Sequence, residues 1–412
     1  MDIRDVPEAH IDRALDLAYL VFHERPEDEK RKHHRELLLP CERIGAYDGE
    51  TLVGFIAAHH FTLSVPGGDL PCPGLTFVSV APTHRRRGVL SAMLAELYDR
   101  CAGRGVPIAA LWASEDAIYG RFGFGPATQG ASVEIDSRRP LALRVDPDER
   151  PLRLVDPADA PAVLGPFYES TRAHRAGRVA RDEERWSGEW LQDEDEEDDA
   201  LSPPRIVALG EPLAGYAVYR TKGENEDAGT PALVRVDEVE AETPAVAAAL
   251  WRYLASIDLT ETVRAWGRPL DDPLLLLAAD RDQVKVTGTY PALWVRLIDV
   301  GAVLTARSWA APAELVLEVH DSRIPANSGR FRLTTDAGAG GAGGGRGARY
   351  EPTVDPADLA LDVRDLAACC LGGTRVVDLV AAGLVEEHIP GAAETFDTAL
   401  RTARLPHTDD EF

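Results

Sequence analysis

A chain of 412 residues exceeds what one hydrophobic core usually organises, so two or three domains are expected. A formal net charge of -25 argues against sequence-independent binding to nucleic acid, which needs clustered cations, and favours cationic partners, although acidic surfaces also serve solubility. Apolar runs such as residues 274 to 279 fall far short of the ~20 apolar residues of a membrane span. The opening Met-Asp-Ile-Arg-Asp lacks the pattern of a secretory leader, so a cytoplasmic protein without membrane association is expected.

Residues 1 to about 135 alternate between strand and helix patterns. A short strand near Asp2 precedes a helix over residues 11 to 22. Residues 43 to 47 and 51 to 61 read as paired strands turning at Asp48-Gly49. An apolar strand over 75 to 80, a helix over 88 to 101 and a strand over 107 to 112 complete a βα-rich unit with a central sheet. The same order of signals returns from Arg153: a helix from Ala158, strands over 206 to 209, 214 to 220 and 233 to 239, and a helix over 243 to 254. Internal duplication is the economical explanation.

The copies differ where it matters. The first has Thr83, His84, Arg85, Arg86, Arg87 and Gly88 ahead of its helix; the second has Ala241, Glu242, Thr243 and Pro244. The latter starts a helix well but supplies neither glycine nor cation for a phosphate, so the second copy reads as structural. The acidic run over 193 to 199 reads as a solvated loop. From about residue 297 the pattern becomes α+β, with strands over 314 to 320, 329 to 333 and 359 to 362, then helices from Leu366, Val376 and Thr395. Residues 338 to 347, nearly all Gly and Ala, read as a mobile linker. The predicted fold class is mixed α/β and α+β. Five cysteines, Cys41, Cys72, Cys101, Cys369 and Cys370, show no metal-ligand spacing and no even disulfide framework, so reduced, mostly buried thiols and no metal are expected.

Chemistry concentrates in the string Leu-Thr-Phe-Val-Ser-Val-Ala-Pro-Thr-His-Arg-Arg-Arg-Gly-Val-Leu over residues 75 to 90. An apolar strand runs through a short loop to Gly88 at the mouth of a helix. Unpaired backbone N–H groups and the positive end of the helix dipole therefore converge on one point. Arg85 and Arg86 add charge, and Gly88 permits close approach of a pyrophosphate to the backbone. Cations at a helix N-terminus are unfavourable unless an anion binds there.

This string resembles the GNAT acetyltransferases, whose [QR]-x-x-G-x-[GA] loop binds the pyrophosphate of acetyl-CoA; Arg85 to Gly88 match, and Leu90 stands where the pattern has a small residue. With Ser114-Glu115 and the run from Ile118 to Pro126 downstream, the chain resembles the enhanced-intracellular-survival (Eis) branch. The resemblance implies tandem GNAT folds followed by a sterol-carrier-like domain: a catalytic domain over 1–138, a GNAT-like pseudo-domain over 139–296, and a third domain over 297–412. It implies acetyl-CoA as cosubstrate and backbone contacts to it from Val78, Ser79 and Val80. It places Arg85, Arg86, Arg87, Gly88 and Val89 on the pyrophosphate, and Ser114 and Glu115 beside the cofactor.

The same resemblance makes Tyr119, in a Tyr-x-x-x-Gly-Phe spacing, the general acid, and the terminal carboxylate of Phe412 the base. Residues 402 to 412 could reach roughly 35 Å if extended, at ~3.3 Å per residue, so the terminus can reach a distant site. Phe22, Glu24, Phe77 and Glu411 would contact the substrate, an amine-containing small molecule such as an aminoglycoside or polyamine, or a lysine side chain. A homohexamer built from trimers is also implied. Two alternatives are a lipid- or sterol-binding carrier, suggested by the C-terminal domain, and an acetyl-CoA-binding regulator without turnover.

Overall fold

The computed structural model describes every residue except 194, 196, 197, 199, 225–228 and 337–346. The Gly/Ala stretch over 338 to 347 therefore lies outside the described residues apart from Gly347. The chain divides into two compact units, one of Met1–Thr128, Leu293–Ala403 and Glu411–Phe412, the other of Gln129–Ala292 and Arg404–Asp410.

The first unit begins with β1 (Asp2–Asp5), α1 (Ile11–Phe22), α2 (Asp28–Leu38), β2 (Glu42–Asp48), β3 (Thr51–Val65) and β4 (Gly68–Val80). It continues with α3 (Val89–Gly103), β5 (Ile108–Trp112), α4 (Asp116–Tyr119) and β6 (Phe124–Pro126). Alternation along β3 sends Phe55 and Ala57 to one face and Ile56 and Ala58 to the other. Ile11, Ala14 and Leu15, one stripe of α1, cover the first face. Val89, Met93, Leu94 and Leu97 of α3 cover the second, together with Ile44, Leu75 and Leu111.

The second unit is built from β7 (Gln129–Asp136), β8 (Leu152–Val155), β9 (Arg205–Leu209), β10 (Gly215–Lys222), β11 (Leu233–Ala241), β12 (Thr262–Pro269) and β13 (Val284–Pro291). These form one sheet in the order β13-β7-β12-β11-β10-β9-β8. The helix Ala160–Arg172 packs Leu164 and Tyr168 on one face, against Ile206, Ala208 and Tyr216. The helix Pro244–Leu254 packs Val246 and Leu250 on the other, against Val207, Leu209 and Ala217. Thr243 caps the latter by accepting from the Val246 N–H at 3.3 Å. The sandwich of the first unit is thus repeated.

Two strands depart from a plain tandem order. β7 lies before residue 138 yet joins the second sheet, whereas β14 (Leu293–Leu297) enters the first sheet, whose order is β1-β2-β3-β4-β5-β14-β6. Period-two alternation marks a strand but does not say which sheet receives it. A third sheet, in the first unit, is formed by β15 (Ala313–His320), β16 (Gly329–Thr335), β17 (Ala348–Pro352), β18 (Leu359–Asp362) and β19 (Val385–Glu387), in the order β17-β16-β15-β18-β19. Its helices are Val363–Cys369, Val376–Ala381 and Ala392–Leu400. The first begins earlier than its apolar pattern suggests because the Asp362 side chain caps it, accepting from Arg364 N–H at 2.9 Å.

The acidic run is only partly described, and there it is engaged rather than merely solvated: Asp195 pairs with Arg235 at 2.5 Å and Asp198 with Lys222 at 2.6 Å. All five cysteines are buried and unbridged. Among the described residues, no helix is long and apolar enough to cross a membrane.

Candidate active site

β4 carries the first part of the site. Its register with β3 shifts between the pairs Phe55↔Ser79 and Ala57↔Thr76, so that Phe77 and Val78 together oppose Ile56. Phe77 takes a left-handed conformation, φ 51°, at this bulge. On the other side β4 pairs with β5 in parallel only at Gly74↔Ala110 and Leu75↔Leu111. Beyond Leu75, among the described residues, that edge of β4 has no strand beside it. The Ala81 N–H donates to Val53 O at 2.9 Å. Since successive amides along a strand point to opposite edges, the Val80 N–H faces the uncovered side. Val78 and Val80 pack at the margin of the core that also contains Tyr119. The Ser79 hydroxyl is buried with no hydrogen-bond partner among the described residues.

From β4 the chain turns through Pro82–His84 into Arg85, Arg86, Arg87 and Gly88, all four exposed. His84 is tied to Asp48 at 3.3 Å, but the three arginines make no ion pair among the described residues. Arg86 and Gly88 are both left-handed, φ 61° and 81°; glycine adopts this conformation without strain and opens into free space. Gly88 stands at the N-cap of α3, a helix of 15 residues, with no side-chain cap. The first N–H groups of the helix and three unpaired guanidinium groups are therefore presented together, as a pyrophosphate requires. Leu90, the departure from the small-residue pattern, is half-buried and packs against the core under α3.

Ser114 and Glu115 are exposed where β5 gives way to α4, with Glu115 at the N-cap. Tyr119 closes that helix and is buried, edge-on to Phe124 with ring centroids 6.0 Å apart. Burial, aided by the nearby Glu115 charge, pushes its phenol pKa up to about 12. The hydroxyl is therefore held in its protonated, donating form.

Phe412 sits on β3 and β4, half-buried: its ring is 4.8 Å from that of Phe61 and 6.3 Å from that of His59, both edge-on. Phe61 and His59 are themselves stacked at 5.0 Å. Gly74 lies beneath, where a Cβ would come within 2.2 Å of Phe61 and 2.8 Å of Phe412. These three seating residues were missed by motif reading, although a glycine inside a strand pattern is itself a sign of close approach. Glu411 is exposed.

Phe77 is half-buried and edge-on to His34 at 5.2 Å, and His34 in turn meets the Tyr19 hydroxyl at 2.9 Å. Phe22 and Glu24 stand at the exposed end of α1, where Glu24 pairs with Lys30 at 3.8 Å. No side-chain hydrogen bond or ion pair joins Glu24 to the other candidates among the described residues.

Comparison with known proteins accords with this geometry. Models of the acetyltransferase (GNAT) domain match residues 2–127 and 177–297, and a sterol carrier protein domain matches 300–409. The N-acetyltransferase Eis of Mycobacterium tuberculosis is 38% identical over 356 residues, which cover 82% of this chain and 81% of that protein. The chain belongs to the Eis-type N-acetyltransferase family. An uncharacterized N-acetyltransferase of Streptomyces avermitilis is 42% identical over 378 residues, 90% of each chain. The crystal structure of Eis1 from Mycobacterium abscessus superimposes with a TM-score of 0.84 at 32% identity, over 100% of both chains. As an Eis-type protein the chain is an N-acetyltransferase of mixed α/β fold with a sterol-carrier-like C-terminal part. GNAT enzymes take their acetyl group from acetyl-CoA.

Proposed function

We propose that the first acetyltransferase domain, residues 1–138, binds acetyl-CoA and transfers its acetyl group directly to a primary amine. The observation that carries this reading is the continuity of three features along one stretch of chain: the uncovered edge of β4, the unpaired arginines at the bare N-terminus of α3, and the buried, protonated Tyr119. Val78, Ser79 and Val80 pair with the amide-bearing arm of the cofactor as a neighbouring strand would. Arg85, Arg86, Arg87, Gly88 and Val89 hold the pyrophosphate, and Ser114 and Glu115 flank it.

A neutral amine attacks the thioester carbonyl, which the Val80 N–H polarises. The Phe412 carboxylate accepts the proton of the attacking nitrogen, the C–S bond breaks, and Tyr119 donates its proton to the departing sulfur. Amide and free CoA thiol are the products, and solvent returns the proton balance of the two groups. No step calls for a metal. Glu411, Phe77, Phe22 and Glu24 face the amine, and the acidic residues suit cationic substrates such as aminoglycosides, polyamines or lysine side chains. Residues 139–296 serve as a non-catalytic copy and 297–412 as the domain that carries the base; the assembly is a hexamer of two trimers.

The test is release of CoA thiol from acetyl-CoA with a panel of polyamines and aminoglycosides, for the native chain and Tyr119→Phe. Turnover in the native chain that falls by about 100-fold or more in Tyr119→Phe, the scale of lost acid catalysis, supports the reading. Binding of acetyl-CoA without any turnover would favour a regulator.

A further inference from the structure

Within the first unit, the segment that carries Tyr119 is covered by the sterol-carrier-like part. Tyr119 ends α4, a helix of only 4 residues whose N-cap, Glu115, makes no side-chain cap bond. One helical turn does not hold itself in place in water, so the position of Tyr119 is set by what packs on the chain beyond it. That chain turns tightly, the Gly123 N–H donating to Gly120 O at 3.0 Å, and enters β6. There β14 pairs Val295 with Gly125 and Arg296 with Phe124, the residue whose ring meets that of Tyr119.

β6 is the last strand of its sheet, and the helix Val363–Cys369 packs on it. A Cβ at Gly125 would overlap the Arg364 carbonyl oxygen and come within 2.7 Å of the Ala368 nitrogen, the two ends of one helical hydrogen bond. No side chain fits between them, so strand and helix stand at a distance that only glycine allows. A Cβ at Gly120 would come within 2.8 Å of the Arg364 guanidinium, so the same residue also covers the first step after Tyr119. Arg323 adds a third contact: its Nε donates to Arg121 O at 3.3 Å, and its guanidinium lies 5.0 Å from the centre of the Phe122 ring. From α3 the Tyr98 hydroxyl donates to Phe122 O at 3.1 Å. Phe122, Phe124 and Gly125 are buried, whereas the Arg364 side chain is exposed.

We propose that the helix Val363–Cys369 is a positioning element for acetyl transfer, and that Gly125 and Arg364 are positioning residues that fix where the Tyr119 hydroxyl stands. This rests on the reading of Tyr119 as the general acid. The path between them is short: the helix backbone seats Gly125, its neighbour Phe124 bears on the Tyr119 ring, and Arg364 closes over Gly120, which follows Tyr119 in the chain. A general acid must lie within hydrogen-bond reach of the departing atom, and a displacement of about 1 Å costs on the order of 100-fold in rate, so a support of this kind acts on kcat. The sterol-carrier-like part thereby takes a share in acetyl transfer that does not depend on a lipid.

The experiment measures kcat and the acetyl-CoA KM, by release of CoA thiol to the polyamine or aminoglycoside that the native chain turns over fastest, for the full chain, Gly125→Ala, Tyr119→Phe and the double variant. In Gly125→Ala the kcat is expected to fall about 10- to 100-fold with KM for acetyl-CoA nearly unchanged. In the Tyr119→Phe background the same change is expected to cost less than about threefold, because changes that act through one group do not add. Native kcat in Gly125→Ala, or an equal loss in both backgrounds as a merely structural role would give, would overturn the proposal. Should Gly125→Ala fail to fold, Arg364→Ala trims an exposed side chain and is expected to lower kcat about 3- to 10-fold in the native background and not in Tyr119→Phe. No loss, or the same loss in both, would again overturn it. Tyr119→Phe alone separates the two ideas: native kcat there would overturn the general acid and the positioning role together, whereas lost turnover there with additive losses in the double variant would overturn positioning alone.

Discussion

The rings of Phe412 and Phe61 meet edge-on, centroids 4.8 Å apart at an interplanar angle of 72°, over a glycine that leaves room for both. Gly74→Ala puts a methyl group where Phe61 and Phe412 now lie. Overpacking of this kind costs about 1–3 kcal/mol, so a lower denaturant midpoint is expected. Phe61, 2.2 Å from the added Cβ, and Phe412, 2.8 Å from it, must both shift. The kcat should drop about tenfold or more while acetyl-CoA affinity holds; unchanged kcat would separate the seat of the ring from the chemistry.

Tyr119 sets the alkaline behaviour. Its phenol, with a folded pKa of about 12 against ~10 in an unfolded chain, keeps its proton as pH rises through the ordinary tyrosine range. The stability it contributes is full below ~10 and is lost as pH climbs from there toward 12. The kcat profile, followed with a thiol reagent usable in base, should show no falling limb assignable to the acid below about pH 10. A limb near pH 8 would mean another group supplies the proton.

Arg85 and Arg86 make no ion pair among the described residues, so their loss should leave folding intact and act on the cofactor. In Arg85→Ala/Arg86→Ala the KM for acetyl-CoA is expected to rise about 10- to 100-fold, that is ~1.4 kcal/mol per factor of ten, with a steeper salt dependence lost. An unchanged KM would place the pyrophosphate elsewhere.

Much of this was legible in the sequence for a physical reason: the β4–α3 connection states its chemistry in consecutive residues, and the β2–β3 turn at Gly49 and the stripe on α1 follow from local periodicity. What was hidden depends on residues distant in the chain. The exchange of β7 and β14 between sheets leaves no periodic trace. His59, Phe61 and Gly74 look like ordinary strand residues until the last residue of the chain arrives over them. Asp409 and Asp410 lie in no motif, yet Arg268 stands 3.8 Å from the first and Arg181 2.8 Å from the second, pairings between residues far apart in the chain.

Arg296 of β14 and Asp321 form a buried pair at 2.7 Å, and Asp321 also accepts from Asn327 Nδ2 at 2.9 Å. Asp321→Ala leaves the guanidinium buried without a counter-charge and should cost about 3–5 kcal/mol, measured by urea unfolding. Burial opposes the Asp321 charge, but Arg296 and Asn327 hold its carboxyl below the usual range. Its contribution is therefore present above ~4, the unfolded value, and is lost as pH falls below that through the folded value. A variant as acid-stable as the native chain would show that the pair adds nothing.

The most direct measurement replaces only the terminal charge. A semisynthetic chain ending in Phe412 carboxamide keeps the ring on Phe61 and removes the proposed proton acceptor. CoA release from acetyl-CoA in the presence of a reactive amine should fall by about 100-fold or more, the range of lost base catalysis, while acetyl-CoA affinity stays native. Native turnover by the carboxamide would contradict a role for the Phe412 carboxylate in catalysis.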